Sequence, residues 1–208
     1  MNGCKPVTTP ADPNAKLDGN KQPKEDVETE EIKNVPYQEA IGSLLFLCQG
    51  TRPDITYATC MLSRYSKKPE RRHWTAVKRI FRYLRGTTNL KLEFRKDKEQ
   101  FLEAYSDADW ANELDDRRSI TGNVIKFQHG AISWSSKKQK TVALSTTEAE
   151  YMGLSTTCQE VLWLRMLAQE IDATAVSEDG EISINHIPTD EMTADSLTKP
   201  LFKQKHET

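Results

Sequence analysis

The chain has 208 residues and a formal net charge of −2, and 29% of its residues are charged. This length leaves room for one domain of ordinary size and a smaller one. With 37% hydrophobic residues, four Trp and six Phe, the composition supports a folded core and excludes a wholly disordered chain. No apolar run approaches the roughly 18 residues of a membrane span, and no basic and then apolar signal segment follows Met1. We therefore expect no membrane partner and an intracellular location, cytoplasmic or nuclear.

Cysteine usage excludes two classes of small stabilised domain. Cys4, Cys48, Cys60 and Cys158 are scattered, no CxxC pair occurs and no His stands at metal-ligand spacing. Neither a zinc site nor a disulfide framework is indicated. The expected compartment is reducing.

The N-terminal stretch 1–35 differs in composition from the rest. It is rich in Pro, Asn, Lys, Asp and Glu, with an acidic run over 25–31. Such a composition buries too little apolar surface to offset chain entropy, so residues 1–35 are predicted to be extended or disordered.

Residues 36–86 are predicted to form a small helical segment. Helices are expected over 37–50, 54–68 and 70–86, because prolines separate them and glycines follow the first and the third. In the third helix, apolar residues recur at i, i+3, i+7 and i+10 and predict one buried stripe: Trp74, Val77, Phe81 and Leu84.

Positive charge is concentrated around this third helix. Between residues 64 and 91 the only acid is Glu70. A solvated polar face usually mixes both signs, whereas a strip of one sign attracts phosphate; both interpretations stay open. The candidate nucleic-acid-binding residues are Lys67, Lys68, Arg71, Arg72, Lys78, Arg79, Arg82 and Arg85.

After Gly86 the hydrophobic period changes to two. Strands are predicted over 90–94, 101–105, 121–127 and 131–134, with a turn at 128–130, in a mainly antiparallel sheet. A long helix should follow over about 146–171, with an inner face made by Tyr151, Leu154, Cys158, Leu162 and Met166. A last strand over 181–187 and a short helix over 190–199 complete a layered α/β or α+β domain.

Three acids lie on three of these elements. Asp107 follows the strand at 101–105, Glu148 is in the first turn of the long helix and Asp195 is in the last helix. If they converge, they could hold Mg²⁺, which prefers carboxylate oxygens. Each acid also has a structural explanation: a turn residue, the last member of a capping box starting at Ser145, and a solvated helix acid.

The motifs that contain these acids resemble a known family. YSDADWA (105–111), RRSITGNVIKF (117–127), GAISWSSKKQKTVALSTTEAEYMGL (130–154) and IPTDEMTADSLTKPL (187–201) closely resemble the C-terminal ribonuclease H region of copia-type LTR retrotransposon Pol polyproteins. Upstream, CKPVTTPADPNAKL, YQEAIGSLLFL, TRPDITYAT, LSRYSKKP and HWTAVKRIFRYLRGT are similar to the end of the same polyprotein's reverse transcriptase.

This resemblance implies three parts of the chain. Residues 1–35 would be a remnant of the end of the polymerase palm, 36–86 a thumb and connection segment, and 87–208 a truncated ribonuclease H-like domain. The implied fold is α/β, a ribonuclease H-like mixed sheet with covering helices. No YxDD-type palm motif occurs in the 208 residues, so no complete polymerase site is expected.

The implied activity is cleavage of the RNA strand of an RNA–DNA hybrid by two Mg²⁺ or Mn²⁺ ions held by four acids. Asp107, Glu148 and Asp195 match three of these catalytic, metal-binding acids. The DNQSA-like segment that carries the fourth is absent. Implied partners are an RNA–DNA hybrid or other nucleic acid and the rest of a Pol polyprotein, with no small-molecule substrate.

The absent segment coincides with a short polar connection. Residues 172–182 are too few and too polar for a strand and a helix, since such a crossover needs about 30 residues. The fold is therefore predicted to lack its central fourth strand and the following helix, and 182–187 is predicted to fill the slot beside 101–105.

Two functions remain in competition. One is a ribonuclease H-type hydrolase weakened by the lost carboxylate, with Asp190 or Glu191 as a substitute. The other is a non-catalytic nucleic-acid-binding remnant that uses the basic strip over 64–91.

Overall fold

A computed structural model of the chain describes residues 3–15, 17, 32, 34–95, 102–113, 116–171 and 182–201. The chain divides into two compact units. A helical unit comprises Met1–Lys91, Ala111–Arg117 and Lys199–Thr208, and a sheet unit comprises Leu92–Trp110 and Arg118–Thr198. Within the described ranges, no helix has both the length and the hydropathy needed to cross a membrane.

The helical unit contains the predicted helices. They are α1 (Tyr37–Gly50), a 3₁₀ turn (Pro53–Ile55), α2 (Thr56–Ser63) and α3 (Arg71–Gly86). α2 ends five residues before the predicted boundary, because hydroxyl groups there bond to main-chain carbonyls: Ser63 to Cys60 at 2.8 Å and Ser66 to Ser63 at 2.7 Å. The core lies between the helices and includes Leu44, Ile55, Leu62, Val77 and Ile80.

The buried face of α3 is displaced from the predicted stripe. His73, Val77, Ile80 and Tyr83 are buried, whereas Trp74, Phe81 and Leu84 are only partly buried. The two polar rings can be buried because each has a partner. His73 Nδ1 accepts the Glu70 N–H at 3.0 Å, and the Tyr83 hydroxyl donates to Asp54 at 2.7 Å. Burial also raises the pKa of Tyr83.

Residues 3–15 make contacts with α3 that their composition does not predict. Residues 3–15 contain no helix or strand, yet Thr9 and Pro10 are buried. Arg79 donates to the Thr9 carbonyl at 3.2 Å and to its hydroxyl at 2.8 Å. Residues 18–31 of the predicted disordered stretch lie outside the described residues.

The sheet unit contains three antiparallel strands in the order β1-β2-β3. They are β1 (Leu102–Asp109), β2 (Ile120–Phe127) and β3 (Gly130–Lys138). The turn between β2 and β3 places Gln128 and His129 at φ of 48° and 68°, as a tight hairpin requires. The predicted turn is confirmed, and the described sheet is antiparallel rather than mixed.

Two predicted strands are wrong. Residues 90–95 and 182–188 contain no strand, so 182–187 does not pair with β1, which is an edge strand of the sheet that the described residues form. An alternating run of six residues indicates only that the run fits a half-buried pleated surface. Ile184, in the second of these runs, is 62% exposed.

The long helix α4 (Thr146–Ile171) packs on β1 and β2 through a different face from the predicted one. Its buried residues are Ala149, Gly153, Thr157 and Leu164, while Tyr151 and Met166 are 68% and 63% exposed. A Cβ at Gly153 would lie 3.3 Å from both Ser106 Oγ and the Thr121 methyl group. Small residues therefore allow the close approach, and a search for large apolar residues selects the wrong face.

The opposite face of the sheet is covered by a 3₁₀ helix (Thr193–Leu197), the shorter form of the helix predicted over 190–199. At Gly122 in β2, a Cβ would lie 2.7 Å from Leu197 Cβ and 2.8 Å from Thr198 Cγ2. Only glycine leaves room for this helix to contact the strand.

Replacing Gly122 should therefore destabilise the sheet unit. We expect Gly122→Ala to lower the free energy of unfolding by about 1–3 kcal/mol, the usual cost of overpacking. Urea denaturation followed by tryptophan fluorescence measures this. Gly42→Ala is the control, because Gly42 is an exposed helix residue with no atom near its added Cβ. Equal midpoints for Gly122→Ala and the parent would contradict the packing described.

The contact of residues 3–15 with α3 can be tested in the same way. Arg79→Ala removes two hydrogen bonds to Thr9, and charged hydrogen bonds contribute about 1.5–3 kcal/mol each. Amide hydrogen exchange in the peptide containing Thr9 should accelerate at least about tenfold, which corresponds to about 1.4 kcal/mol and so to the loss of one such bond. Lys78→Ala, an exposed neighbour on the same helix, should leave exchange unchanged. Equal exchange in both variants would show that Arg79 does not hold this segment.

Candidate functional site

Asp107 lies inside β1, opposite Gly122 of β2. Side chains alternate along a strand, and the neighbouring Ser106 contacts α4. Asp107 therefore points to the other face, which the 193–197 helix covers. There its Oδ2 accepts a hydrogen bond from the hydroxyl of Thr198.

Thr198 connects Asp107 to the element that carries Asp195. Thr198 is fully buried, its N–H donates to the Asp195 carbonyl at 3.2 Å, and its hydroxyl lies 3.1 Å from the same oxygen. Asp195 itself is 1% exposed. Asp195 is therefore a buried residue of the 193–197 helix, and the alternative explanation of it as a solvated helix acid is wrong. The structure thus links the elements of two of the three predicted acids.

Glu148 has a local role at the start of α4. Its Oε2 accepts the Leu144 N–H at 2.6 Å, and its own N–H donates to Ser145 Oγ at 3.1 Å. The bond from the Glu148 N–H to Ser145 is one half of a capping box. In the other half, the Glu148 side chain would accept the N–H of Ser145, but here it accepts that of Leu144, one residue earlier. The capping explanation of Glu148 is therefore confirmed.

As arranged here, the three acids do not fit a shared metal ion. In the described part of the chain, no group of three His, Cys, Asp or Glu side chains could hold one. The Glu148 carboxylate is bonded to Leu144 and that of Asp107 to Thr198. The assignment of Asp107, Glu148 and Asp195 as Mg²⁺ or Mn²⁺ ligands stays a prediction from the resemblance.

The candidate nucleic-acid-binding strip divides into bonded and exposed residues. Arg79, Arg82 and Arg85 donate to main-chain carbonyls of Thr9, Lys5 and Cys4, at 3.2, 2.7 and 2.9 Å. Arg72 Nε lies 2.9 Å from a carboxylate oxygen of Glu70. The exposed members are Lys67, Lys68, Arg71, Lys78 and Arg85, the last of which also makes the bond to Cys4. Much of the positive charge on α3 therefore serves the fold.

Three residues that the sequence did not single out organise the sheet unit. Gly122 admits the 193–197 helix, and Thr198 bonds to Asp107. The buried Gln139 donates from Nε2 to the Thr121 hydroxyl at 3.0 Å and to the Ala149 carbonyl at 2.9 Å. A glycine inside a strand pattern often marks close approach of another segment and could have indicated Gly122. Nothing comparable in the sequence indicates Thr198.

Several curated proteins are similar to this chain. It is 46% identical over 171 residues to the retrovirus-related Pol polyprotein from transposon TNT 1-94 of Nicotiana tabacum, which covers 82% of this chain and 13% of that protein. It is 37% identical over 238 residues to the Pol polyprotein from transposon RE1 of Arabidopsis thaliana, covering 96% of this chain and 16% of that protein. It is also 48% identical over 133 residues to secreted RxLR effector protein 161 of Plasmopara viticola, covering 64% of this chain and 94% of the effector.

Two further comparisons found no match, since neither a family profile nor a solved structure is similar to the chain. The chain spans less than a fifth of the length of either Pol polyprotein. The alignment with RE1, at 238 residues, is longer than the chain itself, so RE1 has residues in this region that have no counterpart here. The similarity to Pol polyproteins from plant transposons extends over nearly the whole chain, which belongs to the copia-type Pol polyprotein family.

Proposed function

We propose that this chain is a non-catalytic, nucleic-acid-binding fragment of a copia-type Pol polyprotein, in which a ribonuclease H-like fold serves as a scaffold. One observation carries the first part of this proposal. Within the described residues, no three His, Cys, Asp or Glu side chains are grouped so that they could hold a metal ion, and Asp107 and Glu148 instead accept hydrogen bonds from their own chain.

The chemistry of hydrolysis by two metal ions explains why the grouping of the acids matters. The ions stand roughly 3.5–4 Å apart and need several anionic ligands to balance their charge. The Leu144 N–H, at 2.6 Å, holds one oxygen of Glu148 at the start of α4 and leaves the other oxygen open. A misplacement of about 1 Å already reduces a rate on the order of 100-fold.

Missing sequence points in the same direction. The segment that carries the fourth acid in the family is absent, and the alignment with RE1 requires residues that this chain lacks. Both facts support an internal deletion that removed a strand, a helix and one carboxylate. The remaining edge strand β1 then carries Asp107 without a neighbour on its outer side within the described residues.

Nucleic-acid binding is supported by exposed positive charge that the fold does not use. In the described residues, Lys67, Lys68 and Lys78 are exposed and form no ion pair. They lie on or immediately before α3. Lysines in such a group release condensed counterions when they contact phosphates, which supplies affinity without sequence preference.

A second candidate function, ribonuclease H-type hydrolysis of the RNA strand of a hybrid, is favoured by one observation. Thr198 links Asp107 to the helix that carries the buried Asp195. This link keeps two of the matching acids on connected elements, so residual catalysis is the alternative that the first test must exclude.

The first test compares cleavage by the parent chain with cleavage by Asp107→Asn. Both are incubated with a labelled RNA–DNA hybrid in Mg²⁺ and, separately, in Mn²⁺. We expect no difference in the rate of product formation, because the proposed fragment has no working site. Denaturing gels resolve the products. A parent rate tenfold or more above that of Asp107→Asn would establish the hydrolase instead.

The second test measures how binding depends on salt. Each phosphate contact contributes about −0.9 to the slope of log K against log salt on duplex DNA. The triple variant K67E/K68E/K78E should therefore bind a labelled duplex more weakly and with a slope smaller by up to about 3. Fluorescence anisotropy at several salt concentrations gives both values.

The charge-conserving variant K67R/K68R/K78R is the control and should bind as the parent does. Arg79 and Arg82 are unsuitable positions for this test, since both also hold residues 5–9. Parent affinity that does not change with salt would reject nucleic-acid binding as the function.

A further inference from the structure

We infer that the sheet unit contains a second nucleic-acid contact surface, formed by Lys137, Lys140 and Trp110. We call it the Lys137 corner. This inference rests on the proposed nucleic-acid-binding function and names where on the sheet unit the phosphates and an exposed base would be held. It involves none of the basic residues of α3.

Gln139, one of the two residues between these lysines, anchors the backbone that carries them. Gln139 is buried, and its side-chain amide donates to the Thr121 hydroxyl at 3.0 Å and to the Ala149 carbonyl at 2.9 Å. Its main-chain N–H donates to the Ser119 carbonyl at 2.9 Å. Three hydrogen bonds therefore fix the backbone from which Lys137 and Lys140 project into solvent, which reduces the ordering cost of binding.

An aromatic ring lies beside the same loop. The Trp110 indole N–H donates to the Ala143 carbonyl at 3.0 Å, which attaches the loop after β3 to the residue that follows β1. Trp110 keeps 44% of its surface exposed despite this bond. A ring fixed at its N–H and open to solvent offers a stacking platform, and base stacking on aromatic side chains contributes about 1–3 kcal/mol per base.

The charge at the corner is available to a ligand. In the part of the chain that the structure describes, Lys137 and Lys140 form no ion pair, whereas Arg72 lies 2.9 Å from Glu70. Lys137, near the end of β3, and Lys140, in the loop that follows, lie on an anchored stretch of backbone beside an exposed aromatic ring. This arrangement suits a single-stranded nucleic acid, whose phosphates would contact the lysines and whose unstacked base would contact the ring.

The test uses the full chain and a labelled single-stranded oligonucleotide. K137E/K140E should weaken binding at least about tenfold at low salt and reduce the salt slope by about 1.4, since each contact on a single strand contributes about 0.7. K137R/K140R should bind as the parent does. Trp110→Ala should weaken binding by about 5- to 150-fold, the equivalent of 1–3 kcal/mol, with an unchanged salt slope.

A cross-linking measurement on the unmodified chain removes dependence on folded variants. An oligonucleotide containing 5-iodouracil is irradiated with the parent protein, and the linked residue is found by mass spectrometry. A cross-link at Trp110 supports the inference.

Two outcomes are distinguishable as failures. In the first, the parent binds and K67E/K68E/K78E weakens binding, but K137E/K140E does not, and cross-links fall only within residues 62–86. That result overturns the Lys137 corner and leaves the proposed function standing. If the parent shows no salt-dependent binding to any duplex or single strand, the proposed function fails and the corner fails with it.

Discussion

The sheet unit depends on close approach of two helical elements to opposite faces of β2. On one face α4 contacts Thr121 through Gly153, and on the other the 193–197 helix contacts Gly122. An added Cβ would clash at Gly122 and would be in tight contact at Gly153, and packed interiors tolerate little extra volume. The 193–197 helix that lies on Gly122 also contacts β1, and there Thr198 bonds to Asp107.

The acids of this unit illustrate how one residue can satisfy either a fold or a reaction. A carboxylate at a helix start stabilises main-chain donors, and the same carboxylate in a metal site must face a cation. Here Glu148 bonds to Leu144 and Asp107 to Thr198.

The basic residues follow a related pattern. Arginine suits internal bonds because its planar group presents several donors at once, and on α3 Arg79, Arg82 and Arg85 bond to carbonyls of residues 4–9. The lysines at 67, 68, 78, 137 and 140 remain exposed. A strip of positive charge in the sequence therefore contains two populations, and only the exposed one is a candidate for contact with phosphate.

The sequence by itself determined α1, α3, α4, the strands β1 to β3 and the turn at 128–130, because each depends on a local period or on a local stop signal. The family also followed from motifs in the sequence and is supported by its relatives. Burial on each helix was less predictable: Tyr151 and Met166 are exposed, and Gly153 is buried. A search for hydrophobic residues favours large side chains. Here the short distance between α4 and the sheet requires small side chains on the buried face.

Only the tertiary structure decided that 182–187 does not pair with the outer edge of β1, that Arg79 holds Thr9 and that Thr198 bonds to Asp107. These contacts join residues far apart in the chain, about 70 positions for Arg79 and about 90 for Thr198. No local pattern encodes them, because the free energy of each depends on neighbours that only folding brings together.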